Sequence, residues 1–305
     1  MKKFISPILV FLAAVTWGVS GYFVRETGNF GFSTFEIVFI RFLTASVFAA
    51  LFFLIFDRSV FKIKLKDIWC FFGTGSIGAF GCSLFYFLTM KNASLGTACI
   101  LMYTSPIVVI TLSVILFKEK LTPIKVIGLI TTFLGCVLCS YETGGFKMTV
   151  PTFLIGLCSG ICYGLYSIFS RFAMNKGYKT ETVIFYSFIF AMLASSLFVP
   201  YKEFSANLTH LDDTALYFLG LGLISTVAPY TLYTLGLKNM ENGKAAIIAC
   251  FEIVASIFVG MIVYNEMPTL IKIIGIIIVF ASVVALNIVP QKKEDNLAIN
   301  KEELL

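Results

Sequence analysis

Two charged side chains interrupt long apolar stretches and are the first candidates for chemistry. Glu252 falls within Lys244 to Tyr264, and Arg41 falls within Thr34 to Phe56. On a helix rising 1.5 Å per residue, Glu252 would sit about 13 Å into its segment and Arg41 about 10 Å from the end of its own. A carboxylate in hydrocarbon costs at least ~2.5 kcal/mol, and such residues face a bundle interior and mark solute or proton pathways. Glu252 suits a substrate amine or a proton. Its alternative role is to pair with a neighbouring helix and fix packing. Arg41 suits the carboxylate of a small solute through a bidentate contact, or else it snorkels to the surface. Glu36, five residues from Arg41, is poorly aligned with it on a helix.

Hydroxyls and rings surround these charges in the sequence. Tyr163, Tyr166, Ser167 and Ser170 follow an i, i+3, i+4, i+7 pattern, so one face of their helix is polar and should look inward. Trp17, Tyr86, Tyr103 beside Thr104 and Ser105, and Tyr230 with Tyr233 and Thr234 add similar groups. An aromatic cavity with hydroxyls that orient a small solute would use them. The candidate substrate-binding set is Trp17, Arg41, Tyr86, Tyr103, Tyr163, Tyr166, Tyr233 and Glu252. Tyr22, Tyr141, Tyr201 and Tyr264 lie near segment ends and fit an interfacial belt.

Other chemistries find little support. Cys136 and Cys139 have CxxC spacing, but no second pair or histidine cluster accompanies them, so the eight cysteines read as small apolar filler. The single histidine, His210, lies in a polar connection. There is no HExxH, no GxSxG and no nucleotide-binding loop. The sequence points to no enzyme, no cofactor and no metal.

The elements that position these residues must live in lipid. Of 305 residues, 58% are hydrophobic and 13% charged, against about a quarter charged in a soluble domain. That excludes a water-soluble enzyme and a nucleic-acid binder. A span needs about 20 apolar residues, and ten such runs are legible. Five run from about Ser6 to Val24, Thr34 to Phe56, Ile68 to Met90, Leu95 to Phe117 and Pro123 to Tyr141. Five more run from Pro151 to Phe172, Thr182 to Pro200, Thr214 to Leu237, Lys244 to Tyr264 and Thr269 to Val289. The first is too long for a signal peptide and has no A-x-A site. With the N-terminus inside, 17 basic residues fall in inner loops and 5 in outer ones. The positive-inside rule then makes both termini cytoplasmic in a multi-pass plasma-membrane protein.

The two sets repeat each other. Lys91-Asn92, Gly96 and Ala98 recur 147 residues later as Lys238-Asn239, Gly243 and Ala245. Glu119 recurs as Glu266, Gly128 as Gly275 and Tyr86 as Tyr233; Gly18 and Arg25 recur 146 later as Gly164 and Arg171. An odd number of spans per copy inverts the second, an architecture that secondary transporters use to expose one central site to each side in turn. The glycine runs 156/160/164 and 73/75/78/81 let helices approach closely and slide. The expected fold is an all-α membrane protein of ten helices in two inverted five-helix repeats, 1–146 and 147–289, with a polar cytoplasmic tail at 290–305.

Trp17-Gly18, Arg41-Phe42, Ala93 to Leu101, Pro106, the run Phe117 to Leu121 and Gly128 carry a family signature in the first half. Gly243 to Ala249, Glu252, Asn265-Glu266 and Gly275 carry it in the second. Over nearly the whole chain this pattern resembles the EamA-domain branch of the drug/metabolite transporter superfamily. The resemblance implies secondary-active export of small metabolites such as amino acids. The implied partners are a small-molecule substrate, the lipid bilayer and protons as a candidate coupling ion. A passive channel and an intramembrane enzyme are the alternative functions. The family often has Glu-Pro where this chain has Glu252-Ile253, and without the proline the ninth helix is expected to run straighter.

Overall fold

The computed structural model describes residues 2–93, 95–141, 149–207 and 211–288, and these are almost wholly helical. In chain order the helices are α1 (Lys2–Asn29), α2 (Thr34–Phe56), α3 (Ile68–Phe72), α4 (Cys82–Asn92), α5 (Leu95–Met102), α6 (Ser105–Phe117), α7 (Pro123–Cys139) and α8 (Val150–Asn175). They continue as α9 (Thr180–Ser196), α10 (Tyr201–Asn207), α11 (Leu211–Gly222), α12 (Ala228–Leu237), α13 (Asn242–Ala249), α14 (Glu252–Tyr264) and α15 (Leu270–Ile288). π-helical turns at Gly73–Gly81 and Leu223–Val227 join α3 to α4 and α11 to α12. His210 and the tail 290–305 lie outside the described residues.

Seven segments are long and apolar enough to cross a bilayer, and the pair α9–α10, bent by 106°, would make an eighth. The shortfall from ten falls on the fifth, seventh and tenth expected spans. Helices α7 and α9 have 17 residues each, or about 26 Å against a hydrocarbon core of about 30 Å. Helix α15 is apolar too and has 19 residues, about 28 Å.

Local sequence explains the boundaries. Ser33 and Glu36 form a reciprocal capping box at the start of α2, so Glu36 serves the backbone rather than Arg41. Thr122-Pro123 and Thr149 to Pro151 start α7 and α8, with proline where the missing N–H is harmless. Lys118 and Asn265, 147 residues apart, end α6 and α14 in the left-handed region at φ 55° and 54°. Helices α5 and α13, and α6 and α14, share their limits at the same offset.

The packing is crossed between halves. Helix α1 lies on α12, α13 and α14, while α8 lies on α4, α5 and α6, and α7 runs along α15. A Cβ added at Gly18 would collide with the Ala255 Cβ, and one at Gly78 would lie 2.8 Å from the Tyr166 Cα. These glycines let α1 reach α14, and the first π turn reach α8.

Contacts between loops define two ends. At the basic end Asp57 holds Lys179 at 2.8 Å, Tyr178 donates to Asp67, and Arg171 donates to Asn242. The Lys179 ammonium and the Ser59 hydroxyl and N–H hold the Asp57 carboxyl down to about 2. At the far end Arg25 meets Glu266, Tyr264 donates to Glu26 and Asn207 donates to the Gly31 carbonyl.

Candidate functional site

Two helix breaks create the site. Between α5 and α6 the chain turns at Tyr103-Thr104, just before Pro106. Between α13 and α14 it turns at Cys250-Phe251, although no proline is present. The ninth span runs from Asn242 to Tyr264 without a sharp bend, as the missing proline implies, but its helical ladder is interrupted. Cys250 and Phe251 donate to carbonyls only three residues back, at 3.2 and 3.0 Å, and this tightened turn breaks the ladder without proline. Both breaks reach the same cavity, Tyr103 from the first and Glu252 from the second, and the N–H groups of Ile107 and Ile253 donate back to the Thr104 and Cys250 carbonyls in tight turns. Glu252 is the first residue of α14, where the helix dipole favours its negative charge.

A cavity of about 770 Å³ opens from these breaks to the far end. Its deep wall takes Trp17 from α1, Arg41 from α2, Tyr86 from α4, Tyr103 from the first break, Tyr163 from α8 and Glu252 from α14. Six of the eight candidate residues thus meet on one surface. Tyr166 and Tyr233 do not line it. Their hydroxyls cross between helices instead, Tyr166 to Thr234 and Tyr233 to Ser167, each at 2.7 Å and buried. The inward polar face of α8 is real, but its deeper part is used for packing.

Arg41 is 8% exposed and does not reach the surface. Its Nε donates to Thr226 Oγ1 at 3.1 Å and one terminal nitrogen donates to the Ser225 carbonyl at 3.0 Å. Both acceptors, one hydroxyl and one carbonyl, lie in the second π turn, a feature frequent at functional sites. The guanidinium is held while its side chain faces the cavity. Glu252 is partly accessible through the cavity, and the Tyr163 hydroxyl stands beside it without a hydrogen bond of full geometry.

Aromatic edges frame the charges. The Trp17 ring lies 5.8 Å from Tyr163 and 5.3 Å from Tyr230, both edge-on. Tyr86 shares a hydrogen bond with Cys99 at 3.3 Å. Tyr230, noted in sequence only beside Tyr233, is the member of that pair that lines the cavity, and Ser20, Ser83 and Ser256 line it unannounced. Helical spacing was the available signal. Ser20 follows Trp17 by three, Ser83 precedes Tyr86 by three, and Ser256 follows Glu252 by four. Tyr22 and Tyr264, expected in the interfacial belt, line the mouth.

Neither charge is repeated in the other half. Ser105 stands 147 residues before Glu252, and Ser187 stands 146 after Arg41. At the basic end Lys125, Glu119, Glu241 and Arg171 form a cluster of ion pairs, and none of the four lines the cavity. Cys136 and Cys139 are buried thiols in no disulfide, Cys139 donating to the Lys272 carbonyl, and no group of metal-ligating side chains occurs among the described residues.

A sequence model of the EamA-like transporter family matches residues 4–141 and again 150–288. An uncharacterized transporter of Archaeoglobus fulgidus is 27% identical over 90% of this chain and 93% of its own length. The uncharacterized transporter YxxF of Bacillus subtilis is 25% identical over 97% and 93%. The uncharacterized inner membrane transporter YicL of Salmonella typhimurium is 22% identical over 92% and 94%. One crystal structure superposes with a TM-score of 0.74 at 21% identity, covering 92% of this chain and 95% of that one, which shows a shared fold.

Proposed function

The chain belongs to the EamA-like transporter family, and from that premise we propose that it is a secondary-active exporter of small zwitterionic metabolites such as amino acids. Its ten spans form two inverted halves, 1–146 and 147–289, followed by a cytoplasmic tail. The recurring helix limits, the paired left-handed residues and the crossed packing support this arrangement. The short helices α7 and α9 count as spans in it along with α15, α9 with α10 folded against the membrane surface. The excess of basic residues puts the basic end in the cytoplasm, so the cavity opens outward in this conformation.

One observation carries the proposal. A cavity of ligand size ends blindly between an arginine and a carboxylate where two helices break. Broken helices around a midplane site are how inverted-repeat carriers bind solutes. Arg41 would take the solute carboxylate, Glu252 its ammonium, and Trp17, Tyr103, Tyr163 and Tyr230 its apolar body. The blind end speaks for a carrier over an open channel. Protons remain the candidate coupling ion, with Glu252 as acceptor.

Metabolite profiling of medium from an overexpressing strain should identify the solute, and counterflow in proteoliposomes should then saturate with its concentration. An imposed pH gradient should scale the flux. Non-saturating flux with unitary conductance steps would refute the carrier.

A further inference from the structure

The two ends of the bundle carry matching residues that are paired differently. Lys125 and Lys272 stand 147 residues apart, as do Glu119 and Glu266, and Arg25 and Arg171 stand 146 apart. At the closed basic end the Lys125 side chain is 3% exposed and lies 3.1 Å from Glu241 and 3.7 Å from Glu119. Arg171 donates to the Met240 carbonyl at 2.5 Å, and Glu119 accepts the Asn242 N–H at 3.1 Å. These bonds pin the turn that enters α13 against α6, α7 and α8. At the open far end Lys272 stands at the cavity mouth and forms no ion pair among the described residues. Arg25 holds Glu266 there at 2.9 Å, with both side chains more than half exposed.

We propose that Lys272 is a gate residue of the transport cycle. When the far end closes, Lys272 engages Glu266, and Arg25 moves to the carbonyl of Ala93, the counterpart of Met240. Lys272 can act so only in a protein that alternates its access, as proposed above. If the two halves exchange shapes, the Lys125–Glu119 pair and the bond from Arg171 to the Met240 carbonyl are rebuilt at the other end from their counterparts, Lys272, Glu266, Arg25 and Ala93. The far-end latch is the weaker one. The counterpart of Glu241 is Ser94, so Lys272 meets one carboxylate where Lys125 meets two. The outward-open resting conformation follows from that difference.

The test uses full-length protein in which Cys99, on the cavity wall, is the sole cysteine. A membrane-impermeant maleimide is applied to right-side-out and to inverted vesicles. Lys272→Gln should lower labelling from the basic face about fivefold, the upper range for a solvent-facing ion pair. Lys125→Gln should raise it by at least as much. Glu241→Gln, which leaves Lys125 its second carboxylate, should do the same more gently should Lys125→Gln fold poorly. Lys272→Arg should restore the parent ratio. If Cys99 labels from both faces but Lys272→Gln leaves the ratio unchanged or raises basic-face labelling, the gate is refuted and the carrier reading stands. If every variant labels from one face only, alternating access itself fails and the gate with it.

Discussion

Glu252→Gln separates transport from folding. The substitution keeps shape and hydrogen-bonding capacity and removes the charge. Residue 252 opens α14 at the cavity floor, beside the Tyr163 hydroxyl and opposite Arg41. Were Glu252 a packing group, its loss would leave a buried partner unpaired and cost about 1–3 kcal/mol of stability. Among the described residues no bond of full geometry engages its carboxylate, and the residue is reached through the cavity. Neutralising a carboxylate at this depth therefore leaves stability equal or raises it, by up to about 2.5–3.5 kcal/mol, the insertion cost of the charge. Transport should respond in the opposite sense. A charge-assisted hydrogen bond to a solute ammonium contributes about 1.5–3 kcal/mol, so the half-saturating concentration in proteoliposome counterflow should rise about tenfold to 150-fold. The pH dependence of flux should flatten in the same assay. Unchanged half-saturation and pH profile, with a lowered melting temperature in detergent, would refute the reasoning and make Glu252 a packing residue.

Tyr233→Phe removes the buried bond to Ser167 and should cost about 1 kcal/mol of stability while counterflow affinity holds, because Tyr233 stands outside the cavity; a large affinity loss at unchanged stability would contradict that placement. Gly18→Val drives side-chain atoms into Ala255 and the Ser256 backbone and should destabilise by about 1–3 kcal/mol, read as a lower melting temperature and reduced membrane yield. Asp57, depressed from 3.8 to about 2 by Lys179 and Ser59, stabilises the joint between α2 and α9 above pH ~4 and loses that effect as pH falls through 2. The melting curves of Lys179→Gln and the parent should differ above pH ~4 and converge by pH ~2.

Much of the architecture was legible because lipid leaves few options. Uninterrupted apolar runs located the long helices, and the pairs at 146 and 147 residues showed the internal likeness before any coordinates. What escaped depends on how helices meet. Hydropathy cannot tell that α7 and α9 stop at 17 residues, or that α10 folds back by 106°. The break at Cys250-Phe251 carries no proline to announce it. At the site, Arg41 and Glu252 were conspicuous because charge in hydrocarbon is costly. Tyr166 and Tyr230 could not be assigned by type, since both are tyrosines on inward faces and only packing decides that one binds Thr234 while the other lines the cavity. Ser20, Ser83 and Ser256 were missed because serine is common inside membrane helices.

The charges of the cavity floor, unlike the scaffold around them, have no twins. In the alternating-access carrier proposed above, such an arrangement divides labour: the repeated frame would govern how the molecule rocks, and a few unpaired positions would govern what it carries. On that proposal, substitutions at residues 41, 105, 187 and 252 would change the cargo while leaving the helix contacts that carry the motion intact.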